Sequence, residues 1–372
     1  LAKRTRISNH CKTLIVSFPI TGKSKIPKYV HLHQASPNIL SFSFSPATRN
    51  HRIDTVRKEN RLKYKLSKKF IPVKLAAAGM LLCSTLPSSA QDLDPRRWSH
   101  LPSDMNYAGL GYAYTSADVF FDPVLELKDV SLDLHTYAAK YLRTFKLLDR
   151  SARVEFTAPY QNARWEGLLG DTPASTIRDG FADPLARFAI NLIGAPPLKA
   201  SEFATYRATH PVETIVGAGL TVQMPLGNYY SDKLLNLGEN RYTIRPELGV
   251  EHRRGKWMTE ITGSVAFFTE NDDFFNGNER EQNPFYIVQG LLSYTFRPGL
   301  WTGAGLGYGF GGESQINGVD KYDRKGNIVT GWVLGVPINK ALGVKFAYLH
   351  SVAQENTGAD SDTVGVAMSA LW

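Results

Sequence analysis

The sequence predicts an all-β protein: a transmembrane antiparallel up-and-down β-barrel of about twelve strands over residues 106–372, with both termini periplasmic. Three observations predict it. From residue 106 onward apolar side chains alternate with polar or small ones, the connections alternate between short and long, and the chain ends on the aromatic Trp372. Alternation at a period of two marks strands with two unlike faces. In hydrocarbon every backbone N–H and C=O must be bonded within the protein, so a sheet crosses a bilayer only by closing on itself. Its outward face is then apolar, and its lumen is free to be polar.

The chain before that region reads as a leader. The whole sequence carries a net charge of +9, but 17 Lys/Arg and 2 Asp/Glu fall within residues 1–90. Downstream stand 26 basic and 32 acidic groups, a net charge of −6. The basic character therefore belongs to the leader, and no nucleic-acid partner is expected. Cys11 and Cys83 also lie upstream, which leaves the downstream part without thiol chemistry. Lys65, Lys68, Lys69 and Lys74 precede the apolar run Leu75–Cys83, and Ser88-Ser89-Ala90 supplies a small-residue cleavage site. This pattern predicts a signal peptide over 65–90, cut after Ala90. The run is too short for a membrane helix, which needs roughly 20 apolar residues. Leu81 and Leu82 before Cys83 replace the small residues of a lipobox. Residues 1–64 are expected to be disordered or a wrongly assigned upstream extension, and 91–105 a periplasmic N-terminal segment.

Strands are expected near 106–116, 131–145, 151–161, 181–194, 212–225, 240–251, 256–270, 284–297, 300–312, 326–337, 340–353 and 362–372. In the last, Val364, Val366, Met368, Ala370 and Trp372 share one face against Thr363, Gly365, Ala367 and Ser369. Trp372, with Ala370 and Met368, resembles the terminal signal that engages the barrel assembly machinery. Phe346, Ile244 and Ile261 fall on the apolar faces of their strands. Residues 131–145 leave the face ambiguous, because Asp133, His135, Lys140 and Arg143 do not share one parity; a bulge would reconcile them. Short connections are expected around 147–150, 253–255, 298–299 and 338–339. Longer ones are expected at 117–130, 162–180, 226–239, 271–283, 313–325 and 354–361. The exception is 195–211, where Lys199–Arg207 reads as a short helix capping the inner mouth.

Several segments are similar to one known family. Phe120-Phe121-Asp122-Pro123-Val124-Leu125, Phe188-Ala189-Ile190-Asn191-Leu192, Gly194-Ala195-Pro196-Pro197-Leu198, Phe274-Phe275-Asn276-Gly277-Asn278 and Tyr294-Thr295-Phe296-Arg297-Pro298-Gly299-Leu300-Trp301 resemble the outer-membrane family labelled MetA-pathway of phenol degradation. Members described as sphingosine-induced porins are similar, and the resemblance covers about residue 98 to the end. It implies an outer-membrane transporter for small hydrophobic, aromatic or amphiphilic molecules, and it carries over no functional residue.

Parity assigns Arg153, Glu155, Arg187, Arg245, Glu247, Glu260 and Lys345 to the lumen. Mixed signs there either select among solutes or pair and fill a narrow barrel. Phe120, Phe121, Val124 and Leu125 form an apolar cluster in an external loop, either admitting an apolar solute or packing against other loops. The remaining external loops are rich in acid and the short turns in Lys and Arg, which suits solvated tips among lipopolysaccharide phosphates or attraction of cationic solutes. Expected partners are thus outer-membrane lipid, lipopolysaccharide, the assembly machinery and a small solute. Asn271-Asp272-Asp273 and Asn276-Gly277-Asn278 lack the ordered ligands of a calcium loop and read better as a turn. The glycines at 303, 305, 307, 309 and 311 leave one strand face bare, which either tightens packing or makes room in the lumen. No catalytic, cofactor-binding or metal-binding residue is expected. An outer-membrane lipase would need a nucleophile beside His100, His135, His210, His252 or His350, and no serine partner is evident. A structural barrel and an autotransporter translocator are the other rivals. The short stretch from Gln91 to the first strand leaves no passenger for the latter.

Overall fold

The computed structural model describes residues 93–121, 127–169 and 171–372. The expected export signal at 65–90 and the extension before it lie outside the described residues, as do Val124 and Leu125. In chain order the strands are β1 (Asn106–Phe120), β2 (Leu127–Leu147), β3 (Arg150–Leu169), β4 (Thr172–Phe181), β5 (Leu185–Ile193), β6 (Val212–Gln223), β7 (Thr243–Arg254) and β8 (Trp257–Phe268). Then come β9 (Asn271–Phe274), β10 (Asn278–Gln282), β11 (Phe285–Arg297), β12 (Leu300–Gly311), β13 (Ser314–Ile316), β14 (Val319–Asp320), β15 (Lys325–Pro337), β16 (Leu342–Ala353) and β17 (Gly358–Leu371). Among the described residues one helix forms, α1 (Ala200–Thr209), close to the expected cap.

Every neighbouring pair in the main sheet is antiparallel, and β1 closes the ring by pairing with both β2 and β17. The seam runs from Tyr107↔Leu371 to Phe120↔Gly358. β4 and β5 lie end to end along β3 and count as one broken strand, so twelve strands go round. The break is chemical. Pro184 has no N–H for the ladder, and Asp183 turns inward to accept from Gln223 Nε2 (3.2 Å), Gly227 N (2.9 Å) and Glu239 N (2.8 Å). Beyond Gln223 the loop 224–242, not a strand, runs beside β4, joined to it where Asn228 bonds Phe181 twice.

Alternation places the faces as expected. Leu248, Ile261, Val288 and Leu306 point outward with Ile244, Phe346 and Val366, while Thr136, Gln161, Thr262 and Gln289 are buried inside. Burial here means removal from the outer surface toward the lumen. The face of β2 needs no bulge within 131–145: Lys140 points inward, while Asp133, His135 and Arg143 point outward. Tyr112 shares a hydrogen bond with His135 (2.8 Å), and Tyr141 and Arg143 donate to Asn106. The register shift lies earlier, between Lys128 and Ser131. Outward rings such as Trp257, Tyr294 and Phe296, packed edge to face at 4.8 and 5.0 Å, gather where a headgroup layer would meet the wall.

The short turns carry their own chemistry. Leu148 and Asp149 both have positive φ, as a two-residue hairpin turn requires. Pro298-Gly299 has Gly299 at φ +81°, the geometry that favours glycine after proline. At the opposite end two expectations change. Residues 162–180 form a projecting hairpin, with β3 and β4 paired from Tyr160↔Phe181 to Leu169↔Thr172, and the expected loop at 117–130 is shortened by extension of β1 and β2. The ladder continues above the bilayer, where no solvent demands an apolar face, so alternation fades while pairing persists. β9, β10, β13 and β14 make a separate small sheet from the loops at 271–283 and 313–325.

An arginine at Leu248, outward and 64% exposed, should destabilise the barrel by about 2–4 kcal/mol. Denaturant unfolding in lipid vesicles checks this; an unchanged midpoint would place that face away from hydrocarbon.

Candidate functional site in the barrel lumen

Of the expected N-terminal segment 91–105, the described stretch Leu93–Ser103 packs against the inward faces of the strands. Asp94, Arg97, Trp98, His100 and Leu101 are all buried. The physical reason is that inward acids of β6, β7 and β8 require partners, and this stretch supplies them. Arg97 Nη2 lies 2.8 Å from Glu247, and its backbone N donates to Glu260 (3.0 Å). Ser99 Oγ donates to Glu251 (2.6 Å), and His100 Nδ1 lies 3.0 Å from Glu213. Glu251 and Glu260 face each other directly across β7 and β8. Like charges so placed repel unless donors intervene, and the segment provides those donors.

Trp98 anchors the segment. Its Nε1 donates to Thr262 Oγ1 at 2.8 Å, its indole is fully buried, and the Arg187 guanidinium stands 5.1 Å from the ring. Gly217 and Gly249 form the cradle, since a methyl group at either would overlap the indole. Leu93 packs closely on Gly307 and Gly331, with a methyl 3.3 Å from where each Cβ would stand, a tight contact rather than the overlap met at Trp98. The glycine face of β12 thus makes room within the lumen. Arg96 lies over Trp301 at 4.2 Å and donates to Thr295 (2.7 Å). At the short-turn end α1 presses Phe203 edge-on against His100, with ring centroids 4.8 Å apart. Burial, and then the neighbouring Arg253, lowers the Arg207 guanidinium of α1 below its ordinary value.

All seven lumen residues singled out from sequence point inward. Arg187 joins two acids, donating through Nη1 to Glu155 (2.6 Å) and through Nε to Glu247. Glu155 also meets Lys140 (2.8 Å) and Arg153 (3.2 Å). Arg245 lines the same polar cavity, Glu260 meets Arg97, and Lys345 meets Asp94 at 3.2 Å. Sequence reasoning missed Asp94, Arg97, Trp98 and Ser99. The signal available was the density of Asp94-Pro95-Arg96-Arg97-Trp98, two cations and an indole in a stretch read as a linker.

Phe120 ends β1 exposed, and Phe121 is half-buried. Trp372 exchanges backbone bonds with Asn106, while Met368 faces outward and Ala370 is half-buried. Asn271 is tied to the Tyr229 hydroxyl, Glu239 O and Asn240, and Asn276-Gly277 both have positive φ, as a turn demands. The histidines lean on carboxylates, hydroxyls and carbonyls. His350 bonds Asp362 (2.9 Å) and His252 bonds Thr214 (2.8 Å); neither pair includes a serine.

A family model described as "Putative MetA-pathway of phenol degradation" matches residues 123–366. No curated protein matches the sequence. Among solved structures the fold is that of an outer-membrane channel from Pseudomonas putida F1, with TM-score 0.64 and 22% identity, covering 75% of this chain and all of that one. The transport unit of the autotransporter AIDA-I from Escherichia coli is less similar, at TM-score 0.40 and 10% identity over 74% of this chain and 92% of that one. The CymD monoaromatic hydrocarbon channel gives 0.36 and 8% over 75% and 91%.

Trp98→Ala removes an interaction of about 3–5 kcal/mol from the docked segment, and Gly249→Val blocks its cradle. Both variants should conduct more current than wild type in planar bilayers. Unchanged conductance in both would mean that the segment does not obstruct the path.

Proposed function

The chain belongs to the MetA-pathway phenol-degradation family, and from that premise we propose that it is an outer-membrane channel admitting small hydrophobic, aromatic or amphiphilic molecules by passive diffusion. One observation carries the reading: the lumen is occupied by its own N-terminal segment, beside which lies an apolar chamber. A water-filled pore for sugars or ions needs a continuous polar path. Here paired charges and Trp98 fill the core, and the chamber beside them is walled by Ala113, Ala138, Val333, Ala347 and Ala367. Apolar solutes gain by leaving water for such walls.

Phe120 and Phe121 at the long-loop end gather the solute, and the charged residues of the lumen hold the segment that regulates its passage. The export signal at 65–90 delivers the chain, with cleavage after Ala90 freeing the segment to enter the lumen. Trp372, Ala370 and Met368 engage the barrel assembly machinery, and the acid-rich outer loops sit among lipopolysaccharide phosphates. The protein acts as a channel rather than an enzyme.

Double replacement of Phe120 and Phe121 by alanine should slow uptake of a hydrophobic solute such as phenol into proteoliposomes while leaving arabinose flux unchanged. Equal slowing of both would remove the loop from solute capture. Removal of residues 91–104 should raise arabinose flux in liposome swelling; a chain that stays closed to sugars without them would refute the occlusion.

A further inference from the structure

Asp94 lies between two cavities of the lumen. The apolar chamber is closed on one side by Leu93 and Pro95, the neighbours of Asp94 in sequence. A second cavity has a charged lining, and Asp94 itself is part of it. Its Oδ1 lies 3.2 Å from Lys345 Nζ and its Oδ2 lies 3.8 Å from Lys140 Nζ, with all three side chains buried. Lys345 lines the apolar chamber, and Lys140 lines the polar cavity. A single carboxylate therefore bridges a cation at the edge of an apolar space to a cation at the edge of a polar one.

The polar cavity is rich in positive charge. Arg97, Lys140, Arg153, Arg187 and Arg245 line it against the two acids Asp94 and Glu155, with Glu247 behind Arg97 and Arg187 and Glu260 behind Arg97, so cations still outnumber acids by one. Nη2 of the buried Arg187 has no hydrogen-bond partner among the described residues. An enclosure with surplus positive charge and low-dielectric walls attracts an anion and repels a cation. Displacing Leu93-Asp94-Pro95 would strip Lys345 of its Asp94 ion pair, and a buried charge that loses its partner is costly. A neutral solute cannot restore that pair, whereas an incoming carboxylate can.

We propose that the two cavities form one binding site for an amphiphile with a carboxylate headgroup, and that Asp94 stands in the headgroup position. The head exchanges with Asp94 between Lys345 and Lys140, and the hydrocarbon tail takes the apolar chamber against the small residues of β1, β2, β16 and β17. Because ligand and segment compete for the same cations, binding favours release of the segment. This inference rests on the channel reading and names its substrate class.

The test uses full-chain protein in lipid nanodiscs, with empty nanodiscs as the blank, and radiolabelled decanoate, 1-decanol and decyltrimethylammonium as probes. Decanoate should bind saturably and about tenfold more tightly than decanol, as a charge-assisted bond implies, with the ammonium weaker still. Lys345→Met should cost decanoate about tenfold and erase its advantage over decanol, by the same relation. Asp94→Asn, which changes only the segment and not the barrel wall, should tighten decanoate. Equal affinity for the three probes, or decanoate binding unmoved by Asp94→Asn, would overturn the proposal. Proteoliposome uptake separates the two readings. If decanol enters faster than into protein-free liposomes and the headgroup makes no difference, the carboxylate site falls and the channel stands; if no probe enters faster, both fall.

Discussion

Hydrocarbon offers no partner to a backbone N–H or C=O, and this dictates the rest of the molecule. The pairing of β1 with β17 leaves the main ring without a free edge through the bilayer. Once the ring is closed, side chains can face only lipid or lumen, and the period of two becomes a physical sorting rule. The broken strand β4/β5 is tolerated because Asp183 and the loop 224–242 answer the groups that Pro184 disturbs.

A ring of twelve strands is narrow, and the charges within it are not free to hydrate as they would in a wide pore. Glu155, Glu247, Glu251 and Glu260 are each met by a basic group, a hydroxyl or a backbone N–H. Part of that compensation comes from the wall and part from the Leu93–Ser103 segment. Glycines at 217, 249, 307 and 331 are as much a part of the site as the charges, since they give the segment's large side chains their volume.

Parity made the wall legible in the sequence. Arg153, Glu155, Arg187, Arg245, Glu247, Glu260 and Lys345 could be assigned inward because a strand repeats every two residues, and turns such as Pro298-Gly299 announced where it stops. The segment was opaque for the opposite reason: it has no period, and its partners lie far along the chain, 150 residues from Arg97 to Glu247 and 164 from Trp98 to Thr262. Above the bilayer the pattern also failed. In the β3–β4 hairpin hydrogen bonding continues while both faces meet water, so pairing leaves no trace in hydropathy. The outward placement of Asp133 and Arg143 was ambiguous because charges stand on both faces of β2, with Lys140 inward.

The berth for Trp98 is built from β6, β7 and β8, which follow it in the chain by more than a hundred residues. Synthesis therefore delivers the occupant long before its seat exists. Thr262, Gly217 and Gly249 come onto one surface only after those three strands have zipped together, so seating of the indole is a late event in maturation. Until then Glu251 and Glu260 face each other without the donors that the segment brings, while Glu155 and Glu247 already have Lys140, Arg153 and Arg187 of the wall.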